Sequence, residues 1–315
     1  MATTAPTNTV KSVDLTHDMP SVLNKLMTIE NEDLPALEIT NKGSTKAVNE
    51  LHEFFTDNLR PAAANAQLEG ADHEASSYSA PTKLQNRNQI FSEEVTISGT
   101  TDAIKRYGSS GTETARLTLK KMRELKRDLD FTLLNSQIPR AEAGSDARQM
   151  RTAPEWYSTN VDLGAGGSNG SASAARTAGT TRPLTETMFQ TQLQNCYEAA
   201  GYKKRTVLAS PAQRKVISGF TGNATPMYQA DGKKVVATVK FYESDFGTVE
   251  IRTAPNAAST DVHIWQEDLW KLAWLRNWTT KDIGPSGDST KKLLVGEVTL
   301  ECREEKASAY LTDLS

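Results

Sequence analysis

Along residues 110–137 the apolar positions recur every three or four residues. Ala115, Thr118, Leu119, Met122, Leu125, Leu129 and Leu133 share one face of a 3.6-residue period, Lys126 interrupts that stripe, and Leu117, Phe131 and Leu134 lie off it. The pattern predicts a long amphipathic helix with apolar groups left over for other contacts. Ser110 followed by Glu113 forms a capping box at its start. At ~1.5 Å per residue a helix of about 25 residues spans about 37 Å, the reach of a strut. Just ahead of it, "NRNQIFSEEVTISGT" (86–100) predicts a strand, with Ile90, Val95 and Ile97 as β-formers and Ser98-Gly99-Thr100 as a breaker.

Further patterns follow beyond residue 180. "LTETMFQTQLQNCYEAAG" predicts a helix with Phe189, Leu193, Cys196 and Ala200 in register and Gly201 past its end. "RTVLAS" predicts a short strand, and Ser210, Pro211 and Gln213 mark the start of a second helix. "KKVVATVKFY" and "GTVEIRT" predict a hairpin across "ESDF". Near the end, Leu294, Gly296, Val298, Leu300 and Cys302 alternate with Val295, Glu297, Thr299, Glu301 and Arg303. That alternation predicts a central strand on which neutralising Glu301 is mild.

Two stretches lack such patterns. Residues 61–83 are small and polar, a length of loop that is functional or disordered in a compact domain. "GAGGSNGSASAARTAGTTRP", within a broader break at 140–183, predicts a flexible linker or surface loop, with residues 164–179 tolerant of shortening.

Composition narrows the function. The chain has 315 residues, 37% of them hydrophobic, with 36 basic and 39 acidic groups, a formal charge of −3. No global basic field argues for sequence-independent nucleic-acid binding. No apolar run approaches the ~20 residues that cross a bilayer, and the first twenty lack the apolar core of a secretory signal. Cys196 and Cys302 read as two reduced buried thiols, with a disulfide between them as the alternative.

Catalytic chemistry finds little support. "GAGGSNG" has no strand before it and no helix opening inside it, and "GPSGDSTKK" leads into a strand where a phosphate loop leads into a helix. His263 with Glu267 and Asp268 is the one grouping that suggests a metal. No catalytic residue and no cofactor is assigned. The four tryptophans of "WQEDLWKLAWLRNW", Trp265, Trp270, Trp274 and Trp278, read as core anchors; helical spacing groups the last three, strand spacing aligns Trp270, Leu272 and Trp274.

Several collinear stretches resemble tailed-phage major capsid proteins with the Hong Kong 97-type capsid fold. They are "NAQLEGAD" (65–72), "NRNQIFSEEVTISGTTDA" (86–103), "TLKKMRELKRDLDFTLLNSQ" (118–137), "TVLASPAQRKVISGFTGNA" (206–224), "VKFYESDFGTVEI" (239–251) and "SGDSTKKLLVGEVTLECREEKASAYLTDL" (286–314). The resemblance implies an α+β fold with an N-terminal arm (1–45), an extended E-loop hairpin (46–96), a peripheral domain with the spine helix and Gly-rich loop (97–180), an axial domain (181–280) and a C-terminal return strand (281–315). In that reading the strand at 86–100 is the return leg of the hairpin.

The resemblance further implies a structural subunit, not an enzyme, that forms hexamers and pentamers of an icosahedral shell around double-stranded DNA. Its location would be the virion capsid, assembled in the host cytoplasm, with portal, scaffold or decoration proteins as further partners and no membrane. Two alternatives are a protein-filled nanocompartment of the same fold and a soluble metal-dependent hydrolase built on His263. Contact between copies would pair acids of the hairpin, Glu69, Asp72 and Glu74, with cations of the spine helix, Arg116, Lys120, Lys121 and Arg123.

Overall fold

The chain pairs its strands into two main sheets, each backed by helices, and projects a separate two-stranded hairpin. The computed structural model describes residues 32–57, 59–70, 72, 78–104, 112–220, 241–284 and 287–315. Ser110, Glu74 and the arm's first thirty-one residues lie outside the described residues.

In chain order the elements are α1 (Pro35–Asn41), β1 (Thr45–Lys46), β2 (Leu51–Thr56), β3 (Thr82–Arg87), β4 (Gln89–Ser98), α2 (Gly99–Ala103), α3 (Glu113–Leu134), α4 (Ala153–Trp156), β5 (Val161–Asp162) and α5 (Glu186–Ala200). They continue with β6 (Arg205–Ala209), α6 (Pro211–Ser218), β7 (Phe241–Ser244), β8 (Gly247–Thr253), β9 (Val262–Gln266), β10 (Trp270–Ile283), β11 (Ser289–Cys302) and β12 (Ala309–Leu311).

The first sheet runs β1-β10-β11-β4. Its centre is the long antiparallel pair β10/β11, in register from Trp270↔Cys302 to Ile283↔Lys291 with irregularities either side of Arg276. β4 pairs antiparallel with β11 along its length. The long helix α3 packs Leu125, Leu129, Leu133 and Leu134 against Phe91, Val95, Ile97, Leu294, Val298 and Leu300. Each such leucine contributes about 2 kcal/mol relative to leaving it in water.

The helix corrects the expected stripe in two places. It begins at Glu113, where the Thr112 hydroxyl accepts from the Ala115 amide at 3.3 Å. Leu119 stands 64% exposed, whereas Leu134, expected off the stripe, is fully buried. The buried face also includes Asp130, whose carboxylate accepts from the Leu37 amide and from Asn256 Nδ2, each at 2.9 Å, and so pins α1 across α3. Desolvation raises the Asp130 pKa despite those bonds.

The second sheet runs β5-β12-β9-β6-β8-β7, covered by α5 and α6. Phe189, Leu193 and Cys196 of α5 are buried on Val207, Val262 and Ile264, and the helix ends at Gly201 with φ +69°. Ser210 caps α6 by accepting from the Gln213 amide, and β7 and β8 form an antiparallel hairpin, though residues 233–240 of the expected first strand lie outside the described residues. Cys196 and Cys302 are free and buried.

One expectation about the strands is corrected. Residues 86–100 are not one strand: β3 ends at Arg87, and β4 starts a new sheet after the buried Asn88, whose amide donates to Glu50 O at 2.9 Å. β10 pairs in the first sheet from Trp270 onward, while β5 and β12 pair in the second. The Gly-rich stretch lies mostly exposed, as expected of a surface loop, but it is anchored at several points. A bridge joins Ser168 to Thr177, Arg176 pairs with Asp313 at 2.7 Å, and Gly170 is buried against Glu155.

Aromatic rings join the two sheets. Trp265 of β9 stacks on Trp270 of β10 (centroids 5.0 Å, 15°), so strand spacing places the tryptophans. Tyr310 stacks on Tyr157 at 5.1 Å and on His263 at 4.7 Å. Trp265 Nε1 donates to the Tyr157 hydroxyl at 2.5 Å, and Trp270 Nε1 donates to Ser308 Oγ at 2.8 Å. These buried indole and phenol groups thereby keep partners.

Candidate assembly interface

β2 and β3 pair antiparallel from Leu51↔Arg87 to Thr56↔Thr82. The period of two divides their side chains. Phe54 turns inward onto Trp156 (centroids 5.8 Å) while Phe55 turns outward, 66% exposed. Every described residue from 59 to 81 is exposed, including Leu59, Leu68 and Tyr78 at 97%, 84% and 80%. Isolated apolar groups are ordinary on a surface. Three on one projecting segment present apolar area that no described residue of the same chain covers.

The base of this hairpin is fastened by polar groups. Asn86 is buried, its Nδ2 donating to Leu300 O at 2.8 Å and Arg151 O at 2.9 Å, its Oδ1 accepting from Arg151 N at 2.7 Å. Glu301 of β11 meets His52 Nε2 at 2.7 Å, accepts from the Thr45 hydroxyl and pairs with Arg303 at 3.1 Å. Glu297, two pleats earlier, is held by Arg148 and by Arg276 at 2.8 Å. Arg148 also reaches Glu50 at 3.4 Å, and Glu50 pairs with Arg87 at 3.0 Å.

Glu297 and Glu301 are both buried, which corrects the expectation that the polar side of β11 tolerates neutralisation. Burial pushes the Glu301 carboxyl up, but hydrogen bonds from His52 and Thr45 outweigh it and leave it below the usual carboxylate range. Sequence reasoning misses the pair because alternation alone does not say what covers each face. The available signal is that Val295 and Thr299 share the acids' face, which is therefore not wholly polar.

The other sequence-selected residues separate. Glu69 and Asp72 are exposed on the hairpin's distal part. On α3, Arg116 pairs with Glu113, Lys120 with Glu124 at 3.8 Å, Lys121 with Glu124 at 2.8 Å and Glu93 at 3.6 Å, and Arg123 with Glu32 at 2.8 Å. Among the described residues no ion pair within the chain joins Glu69 or Asp72 to these cations.

His263 is fully buried in the aromatic stack, and burial lowers its pKa to about 4. Glu267 is engaged instead by Thr206, Lys204 and Lys42. Among the described residues no group of three or more His, Cys, Asp or Glu is placed to hold a metal ion. His263 is a core ring and not the ligand suggested by its neighbours in sequence. An open cleft of about 240 Å³ lies at the hairpin base, lined by Thr56, Thr82, Arg151, Trp156 and Cys302 among others. Burial raises the Cys302 thiol well above its ordinary value.

The sequence matches the family model of the SU10 major capsid protein over residues 2–315, and the chain belongs to that family. No curated protein is similar enough in sequence to match. Among solved structures, the cyanophage A-1(L) capsid asymmetric unit superposes with a TM-score of 0.66 at 10% identity, covering 96% of this chain and 98% of that one. The capsid of a native GTA particle gives 0.63 at 10% identity, with 96% and 98% covered. Microbacterium phage Oxtober96 gives 0.62 at 11% identity, with 94% and 96% covered. The fold is the Hong Kong 97-type capsid fold, and the chain is a capsid shell subunit with a structural, not an enzymatic, role. Among the described residues no helix is long and apolar enough to cross a membrane.

Proposed function

We propose that copies of this chain associate head to tail into hexamers and pentamers, that these close into an icosahedral shell in the host cytoplasm, and that the shell encloses double-stranded DNA. The supporting observation is the β2–β3 hairpin, whose distal half leaves Leu59, Leu68 and Tyr78 uncovered by the described residues of its own chain. A heterologous contact of this kind repeats around a ring and closes it when the rotation permits. The near-neutral charge of −3 suits DNA held by confinement and counterions instead of sequence reading.

Deleting residues 62–80 tests the reading. The expected product is a folded subunit with unchanged melting that yields no closed shells on sedimentation and negative-stain microscopy. Normal shells from the deletion would refute a role for the hairpin in assembly. Wild-type shells that protect nucleic acid from nuclease support the DNA cargo; shells holding only protein would point to a nanocompartment.

A further inference from the structure

We propose that Glu297 and Glu301 are positioning residues that set the angle at which the β2–β3 hairpin leaves the body; the importance of that angle rests on the assembly reading above. A hairpin held at one point pivots, whereas one held at two separated points has a direction. The two carboxylates stand four residues apart on one face of β11, about 13 Å at ~3.3 Å per residue. Glu301 holds the outgoing leg directly through His52. Glu297 holds the residue preceding that leg, Glu50, through Arg148. The return leg is tied to β11 by Asn86, which donates to Leu300 O, and to the outgoing side by Arg87, which pairs with Glu50. The apolar contribution at the base is small by comparison, Phe54 on Trp156 with Leu84 partly buried beside the core.

Energetics favour a geometric role. Taking carboxylates out of water is expensive, and a buried ion pair is often no more stabilising than well-packed apolar groups of the same volume. Its bonds are directional, however, and removing one partner leaves a buried charge without compensation. A purely adhesive base could be built from leucines. Here the polar groups that fix the legs, His52, Asn86, Arg87 and Arg148, are paired through donors and acceptors with defined directions.

The test uses the unassembled subunit as well as the shell. Spin labels at Phe55→Cys on β2 and Lys126→Cys on α3, both exposed positions, report the distance between hairpin and body, and the buried Cys196 and Cys302 escape labelling. A single narrow distance is expected without further substitution. Glu297→Gln with Glu301→Gln should lose it, and so should His52→Leu, a milder change that leaves β11 intact if the double variant precipitates. His52→Gln, which can still donate to Glu301, should keep the narrow distance. Distances read well below each variant's melting temperature separate positioning from general destabilisation, and shells of the broadened variants should lose their uniform diameter. The proposal is overturned if His52→Leu leaves the distance narrow, or if the Leu and Gln variants at this position behave alike. Absence of wild-type shells would count against the assembly reading alone, because the distance measurement needs no shell.

Discussion

Gly170 lies directly against the carboxylate of Glu155: a methyl group added at Gly170 would fall 1.4 Å from Glu155 Oε2. Glu155 cannot simply swing away. It is fully buried, and its other oxygen accepts from the Ser136 hydroxyl and, at 3.3 Å, from the Arg176 amide. Gly170→Ala should therefore destabilise the subunit by about 1–3 kcal/mol, the usual range for overpacking a filled core. Thermal melting of the purified variant measures this. Halving residues 164–179 should in turn cost soluble subunit, because the Arg176–Asp313 pair anchors the stretch. A fully soluble deletion with wild-type melting would restore the reading of a tolerant loop.

That contrast marks what was legible in the sequence. The spine helix, the Ser210 cap, the β7/β8 hairpin and α5 all follow from local rules: periodicity, a hydroxyl before Pro, a short turn between β-formers. The anchoring of the Gly-rich stretch was not legible because composition reports how little side-chain area a segment can bury. It does not report whether small residues let backbone approach a buried carboxylate. Leu119 and Leu134 exchange places because the stripe gives a face only to within a residue or so, and the packed sheet selects the rotation. The fastening at Glu297 and Glu301 depends on groups far away in sequence, His52 and Arg148, which no local pattern links to β11.

Burial of His263 predicts acid sensitivity with a definite sign. Its folded pKa of about 4 lies below the unfolded value of roughly 6.5. Between those values the unfolded chain binds a proton that the folded chain refuses, so stability falls as pH is lowered through the window. Desolvation dominates, with Asp261 opposing it and Arg176 adding to it. Glu301, whose pKa is lowered, also loses stability in acid, so the comparison must be made with a variant. The stability difference between wild type and His263→Gln should be flat above pH 7 and shift against the wild type by about 3 kcal/mol on going to pH 4. Urea unfolding across that range decides it. A pH-independent difference would mean the ring takes up its proton while folded.

Leu300 tests the central placing of β11. It is fully buried between α3 and the sheet, opposite Leu272, and its carbonyl receives Asn86. Leu300→Asp puts an unpartnered carboxylate there at a cost of several kcal/mol, enough to yield insoluble protein. Leu300→Met should cost less than about 1.5 kcal/mol. Soluble Leu300→Asp with unchanged melting would contradict the buried placement.

Charge reversal tests how copies recognise each other. Glu69 and Asp72 are exposed on the hairpin, and changing them with Glu74 to Lys should lower shell yield. The loss should be greatest at low salt, where charges act over ~30 Å at 0.01 M. The complementary change of Lys120, Lys121 and Arg123 to Glu should restore only part of the yield. Each of these cations already has a partner in its own chain, Glu124, Glu93 or Glu32. Reversal turns those pairs into like-charge contacts, costing about 0.2–0.5 kcal/mol for each pair along the helix. The helix-only variant should accordingly melt lower than wild type even where no shell forms. Sedimentation yield across a salt series, read beside subunit melting, separates the two effects. Rescue absent at every salt concentration, with melting only slightly lowered, would show that the hairpin docks through its backbone and through Leu59, Leu68 and Tyr78 instead.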